Sequence, residues 1–268
     1  MPYVTTRRPR IYYERRGRRD APPLVMLRGL GRRLAHWGRL ADDLESLFHL
    51  VLIDNRGAGR SDAVRRPYSV SDMASDTVAV LDHVGVERAH FFGISLGGMI
   101  AQRIAIDHPQ RVDHLVLGCT SPGGEPSPWV SGRAKLALLR ARIRNPAEAV
   151  AAEAQMVLSH GFRQAHPEVV ADWVKLATDF PVKRSTLMLQ LWAATRHNPG
   201  RQLHRITAPT LIICSDADTL VPPDNSRLLA RRIKGAEIEW LHGAGHDFAT
   251  ECPERTAAIV SGFLLDES

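Results

Sequence analysis

The chain has 268 residues, 44% of them hydrophobic, and carries a net charge of +6. That length and apolar content suit one sizeable α/β domain with an inserted subdomain, and no low-complexity stretch interrupts it. The basic balance raises nucleic acid as a partner. However, the arginines are scattered in pairs such as Arg7-Arg8, Arg15-Arg16 and Arg231-Arg232, without interleaved aromatics or a recognisable motif, so none is expected.

The opening residues, Met1-Pro2-Tyr3-Val4, lack the apolar core of a signal peptide. No run reaches the roughly 20 apolar residues of a membrane span, so a cytoplasmic protein without a membrane partner is expected. In chain order, Leu24–Leu27 reads as a strand and is followed by a helix over about Leu34–Leu47. The strand Leu50–Ile53 and a helix over about Ser71–Val84 come next. The strand Ala89–Phe92 leads through a glycine-rich turn into a helix ending near His108, and Leu115–Gly118 is a further strand. Much later come the strand Thr210–Cys214, a helix near Asn225–Ile233, the strand Glu237–Leu241 and a helix from Pro253 to about Leu264. Apolar strands alternating with helices predict a mostly parallel sheet covered on both faces.

Residues 122–205 break this alternation. They show helical patterns interrupted near Asn145-Pro146, His166-Pro167 and Phe180-Pro181, which predicts an insertion of about four helices. Residues 1–121 and 206–268 then form the core, and 122–205 an inserted helical cap. Trp129, Leu136, Met156, Phe162, Trp173, Met188, Leu191 and Trp192 are apolar residues that pack it down or line a pocket beneath it. Cys119 and Cys214 end apolar runs and read as reduced core thiols, with a disulfide as the alternative. Together with Cys252 they make no metal-ligand spacing.

The chemistry concentrates at Gly93-Ile94-Ser95-Leu96-Gly97. A serine between two glycines, with a strand before it and a helix after it, is the pattern of a nucleophile elbow. A serine hydroxyl needs a base, and the base needs an orienting carboxylate. His246, in the Gly243-Ala244-Gly245-His246 loop after the last strand, is the candidate base. Asp218 is the favoured acid because it stands four residues before Pro222. Asp216 is the alternative, otherwise read as a turn-former bonding its own backbone. The backbone N–H groups of Leu96 and of Leu30, in Arg28-Gly29-Leu30-Gly31, are the candidate oxyanion donors.

These segments together resemble the α/β-hydrolase superfamily over nearly the whole chain, in its branch of serine esterases and enol-lactonases with a helical cap. Asp54-Asn55-Arg56-Gly57-Ala58-Gly59-Arg60-Ser61 is similar to the superfamily's D-x-R-G-x-G-x-S segment. The ending from Gly245-His246 to Glu251-x-Pro253-Glu254 is similarly familiar. The resemblance implies a hydrolase cleaving a small-molecule ester or lactone, with no cofactor, no metal, a structural role for Arg56, and compatibility with homo-oligomer formation. A C–C bond hydrolase, a perhydrolase or a non-catalytic ligand receptor are rival readings. Members usually carry His-Gly where this chain has Arg28-Gly29. The arginine either organises the loop as the histidine would, or faces the pocket with Gly29 and holds a substrate carboxylate, or marks a displaced loop.

Overall fold

The computed structural model describes residues 2–5, 9–124 and 145–266. Eight strands form one sheet in the order β1-β2-β4-β3-β5-β6-β7-β8. They are β1 (Tyr3–Thr5), β2 (Arg10–Arg16), β3 (Pro23–Leu27), β4 (His49–Ile53), β5 (Ala89–Ile94), β6 (Val112–Gly118), β7 (Thr210–Ser215) and β8 (Glu237–Leu241). From β4 to β8 every pairing is parallel, whereas β1–β2 and β2–β4 are antiparallel. Ten α-helices lie among the described residues: α1 (Gly38–Leu44), α2 (Val70–Val84), α3 (Leu96–Asp107), α4 (Pro146–Val157), α5 (His160–Ala165), α6 (Pro167–Asp179), α7 (Arg184–Arg196), α8 (Asp224–Arg232), α9 (Phe248–Glu251) and α10 (Pro253–Leu265).

The continuous apolar runs are explained by burial on both sides of the sheet. Alternation along β3 and β5 sends Val25, Leu27 and Phe91 into a core shared with α2 and α3. Leu24, Met26 and Phe92 go into the opposite core, under α1 and α10. Phe91 and Phe92 are both fully buried, one per face, and each contributes about 3 kcal/mol of transfer free energy. Helix ends follow local chemistry. Ser69 caps α2 in a reciprocal box with Asp72, and Asn145 accepts from the Glu148 amide at the start of α4, with Pro146 at the first helical position. The Pro interruptions at 146 and 167 therefore mark helix starts.

Four elements depart from the sequence reading. Strands β1 and β2 were not expected because β2, Arg10-Ile11-Tyr12-Tyr13-Glu14-Arg15-Arg16, is mostly charged. Its Ile11, Tyr12 and Tyr13 are buried, while Arg10 and Arg16 reach Asp62 and Asp42 at its ends. The helix expected over Leu34–Leu47 begins as a 3₁₀ turn, Leu34–Trp37, and restarts as α1 at Gly38, whose φ of 44° breaks the first turn from the second. The short α9 directly after the histidine loop carried no periodic signal. Between β6 and β7 the described helices are α4 to α7, and Val150, Ala154, Val157, Leu158 and Trp173 form their own small core. Trp129 and Leu136 lie outside the described residues. Cys119 and Cys214 are buried free thiols, so the disulfide alternative does not hold.

Candidate active site

The site lies at the carboxyl ends of β3, β5, β7 and β8, where an open parallel sheet leaves a crevice. Ser95 joins β5 to α3 with φ 57° and ψ −120°. Among the described residues only Ser95 and Cys119 adopt positive φ without being glycine, a conformation that costs about 1–3 kcal/mol. The surroundings enforce it. The Ser95 amide donates to the Gly118 carbonyl at 2.9 Å, and its carbonyl accepts from the Thr120 hydroxyl at 2.6 Å. A methyl group on Gly93 would collide with the Gly97 carbonyl, and one on Gly97 with the Leu27 carbonyl. Leu96 opens α3, where the first amides have no partner within the helix.

The loop after β3 runs against this turn. A Cβ on Gly29 would sit 3.1 Å from the Ser95 Cβ and 3.5 Å from its hydroxyl oxygen, so only glycine lets the backbone approach so closely. The loop is held from two directions. The Asn55 side chain donates to the Arg28 carbonyl at 3.0 Å. Gln190 of α7 accepts from the Gly31 amide at 2.7 Å and donates to the Arg56 carbonyl at 3.1 Å. Arg56 itself is spent on Asp76, at 2.7 Å, and on the Asp72 carbonyl.

The other two chemical groups arrive from β7 and β8. Asp218 Oδ2 lies 2.7 Å from His246 Nδ1, and Asp218 Oδ1 accepts from the Leu220 and Val221 amides at 2.8 Å each. Both side chains are buried. Asp216 does something else: it pairs with His242 at 2.8 Å and accepts from the Gly243 amide at 2.7 Å, out in solvent. It bridges to the next loop, where the sequence suggested it would bond its own turn.

Arg28 is the least anticipated part. Its side chain is 2% exposed, and one guanidinium nitrogen donates to both oxygens of Asp247, at 2.7 and 2.9 Å. The Trp37 ring lies 4.8 Å from its guanidinium carbon. Arg32 adds a second cation 3.6 Å from Asp247, stacks on Trp173 at 3.7 Å, and reaches Glu153 of α4 at 3.1 Å. Burial alone would raise the Asp247 carboxyl, but Arg28 and Arg32 hold it down at about 2. His36 beside them is pushed well below its usual value by burial and by the same two arginines. Asp247, Glu153 and Gln190 gave no signal in the sequence, since Arg28 and Asp247 stand 219 residues apart. Glu251 belonged to the familiar ending without a role. Here it accepts from the amides of Gly245 and Ser159 and from the Ser159 hydroxyl, tying the histidine loop to the inserted helices.

Ser95, His246, Gly29 and Leu30 meet around one cavity of about 180 Å³. Met99, Met156, Leu187, Leu191 and Val221 supply apolar wall, and Arg28, Arg32, Glu153 and Asp247 form a charged edge. Met156 and Leu191, named from the sequence as insertion residues, reach this wall; Trp173 and Phe162 pack within the inserted helices, and Met188 and Trp192 are exposed.

Comparison with known proteins agrees with this architecture. Residues 22–251 match the family model described as alpha/beta hydrolase fold. The chain is 31% identical over 260 residues to "Putative carbamate hydrolase RutD" of Variovorax paradoxus, covering 96% of this chain and 95% of that one. It is 28% identical over 246 residues to 3-oxoadipate enol-lactonase 2 of Acinetobacter baylyi, with 91% and 89% covered. The crystal structure of a hydrolase from Pseudomonas aeruginosa PA01 superposes with a TM-score of 0.87 at 27% identity, over 98% of this chain and 97% of that one. With a family model spanning most of the sequence and an eight-stranded, mostly parallel sheet to match, the chain belongs to the α/β-hydrolase family.

Proposed function

We propose that the protein is a serine hydrolase that cleaves a small-molecule carboxylic ester or lactone through an acyl-enzyme. The observation that carries this reading is the shared cavity. A strained serine and a histidine already oriented by a buried carboxylate open onto the same apolar space. Ser95 attacks the acyl carbon while His246 takes its proton. Asp218 holds Nδ1 of His246, which fixes the tautomer and leaves Nε2 as the base. The amides of Leu30 and Leu96 receive the oxyanion. His246 returns its proton to the leaving alcohol oxygen. Water activated by the same histidine then releases the acid and restores Ser95.

Arg28 serves in this reading as the organiser of the oxyanion loop, because Asp247 already matches its charge. The wall beside Ser95 is chiefly aliphatic, which favours a neutral acyl group over a carboxylate held by Arg28. A cavity of about 150 Å³ holds one benzene, so 180 Å³ suits a short or medium acyl chain. The relatives named for enol-lactone and carbamate hydrolysis support attack on a carboxyl-level carbon.

The test is hydrolysis of p-nitrophenyl acetate, butyrate and octanoate by the wild type and by Ser95→Ala. The expected result is turnover that peaks at butyrate and falls by about 10⁴-fold or more without the hydroxyl. Hydrolysis that survives in Ser95→Ala, or none in the wild type on esters and lactones alike, overturns the reading.

A further inference from the structure

A second constellation lies at the opposite end of the sheet. His90 is the second residue of β5, five positions before Ser95, so the two are about 16 Å apart along the strand. Its neighbours come from the start of β6. Ala89 pairs with Val112 and Phe91 with Leu115, so the single residue His90 faces two, Asp113 and His114. This bulge is an irregularity that parallel ladders seldom contain, and bulges re-aim side chains. Here it brings three metal-ligating groups together.

We propose that His90, Asp113 and His114 form a binding site for a divalent transition-metal ion such as Zn²⁺, structural in role and separate from the catalytic cavity. Asp113 Oδ2 lies 3.4 Å from His90 Nδ1 and 3.7 Å from His114 Nδ1, and the three residues each offer a ligand atom within 4.8 Å of the others. Tetrahedral zinc with bonds of about 2.0–2.1 Å places its ligand atoms about 3.4 Å apart. Both Nδ1 atoms are buried and have no hydrogen-bond partner. The His90 side chain is only 7% exposed. Two imidazole nitrogens without a hydrogen bond beside a carboxylate are costly in an apolar wall, and one cation would engage both lone pairs and the charge.

The surroundings fit a built site. Arg88 pairs with the other carboxylate oxygen, Oδ1, at 2.8 Å, which leaves Oδ2 turned to the histidines. The two imidazole rings meet edge to face at 5.1 Å, and Phe48 and Phe263 brace them from either side. Asp113 and His114 are partly exposed, which gives an ion a route in and water a fourth coordination position. Imidazole and carboxylate together select zinc, nickel, copper or cobalt over calcium or magnesium. The other such group among the described residues, Cys119 with Asp218 and His246, shares two members with the candidate active site, and its imidazole and carboxylate are paired with each other.

The experiment is calorimetric titration of chelator-treated, full-length protein with Zn²⁺, paired with thermal melts. The expected result is one ion per chain and a raised melting temperature. His114→Ala and Asp113→Asn, both at partly exposed positions, should each weaken binding by at least about tenfold. Absence of zinc binding by the wild type would mean that the three groups pair only with one another. Unchanged affinity in the two folded variants would place the ion elsewhere. Either result overturns the proposal.

Discussion

Two aspartate–histidine pairs link the same two loops, the aspartates two residues apart and the histidines four, and they differ in almost everything except contact distance. Asp218–His246 closes at 2.7 Å and Asp216–His242 at 2.8 Å. The first has side chains 1% and 7% exposed, the second 41% and 73%. Asp218 has its second oxygen saturated by two backbone amides, so its orientation is fixed before any substrate arrives. The Asp216 carboxyl is lowered by its hydrogen bond to His242 and by the Gly243 amide, yet water competes for every one of those contacts. Contact distance therefore does not separate a buried, positioned pair from a surface one. Burial, saturation of the carboxylate and an opening onto a cavity do.

The largest test of that contrast is the matched pair of amide substitutions. Asp218→Asn should lower kcat by about 10⁴-fold with little change in KM, because the imidazole loses its fixed tautomer. Asp216→Asn should leave ester hydrolysis within about twofold of wild type. Equal losses in the two variants would dissolve the distinction drawn from burial.

A third pair sharpens it. Arg28–Asp247 is as buried as Asp218–His246, but both partners are charged and one lies next to the base. Asp247→Leu alone should cost about 3–5 kcal/mol in denaturant melts, since Arg28 is left buried without its counter-charge. The double variant Arg28→Met with Asp247→Leu should recover most of that stability while retaining lowered kcat, because the oxyanion loop loses its anchor to the histidine loop. Recovery of kcat along with stability would leave the pair without a positioning role.

The smaller effect is in pH. The Asp247 carboxyl sits at about 2 in the folded protein against about 3.9 in an unfolded chain. Because the folded value is the lower, its stabilisation is complete above about pH 4 and is lost as pH falls through 2. The contribution is on the order of 2–3 kcal/mol. Acid melts between pH 4 and 2 should therefore be steeper for wild type than for the Arg28→Met, Asp247→Leu double variant. The exposed Asp216–His242 pair should add nothing to that slope once salt screens it.

How much of this was legible depends on how far along the chain each contact reaches. The turn at Ser95 is local: Gly93, Ser95 and Gly97 fall within five residues, and the steric demand of the turn selects the glycines. Apolar runs such as Leu24–Leu27 and Leu50–Ile53 read as strands because a two-faced sheet leaves them no polar side. Strand β2 was hidden because its apolar residues are outnumbered by charged ones, whose arginines extend to partners elsewhere. The amphipathic stem of arginine lets a charged residue sit in a strand with only its head in water.

The sheet core and the breaks at proline could thus be read along the chain, and so could the candidate residues Ser95, Asp218 and His246, which the fold places at neighbouring strand ends. Each of these is dictated by local sterics, by periodicity or by a short motif. What Arg28 does, that Gln190 and Glu251 hold the loops, and that His90 meets Asp113 and His114 across a bulge came from the packing of the folded chain alone. Apart from Glu251 and Gly245, six positions from each other, those partners lie between 23 and 219 residues apart, or depend on a one-residue shift in register. Charge has no periodicity, and an ion pair between distant loops exists only once packing has excluded water from both.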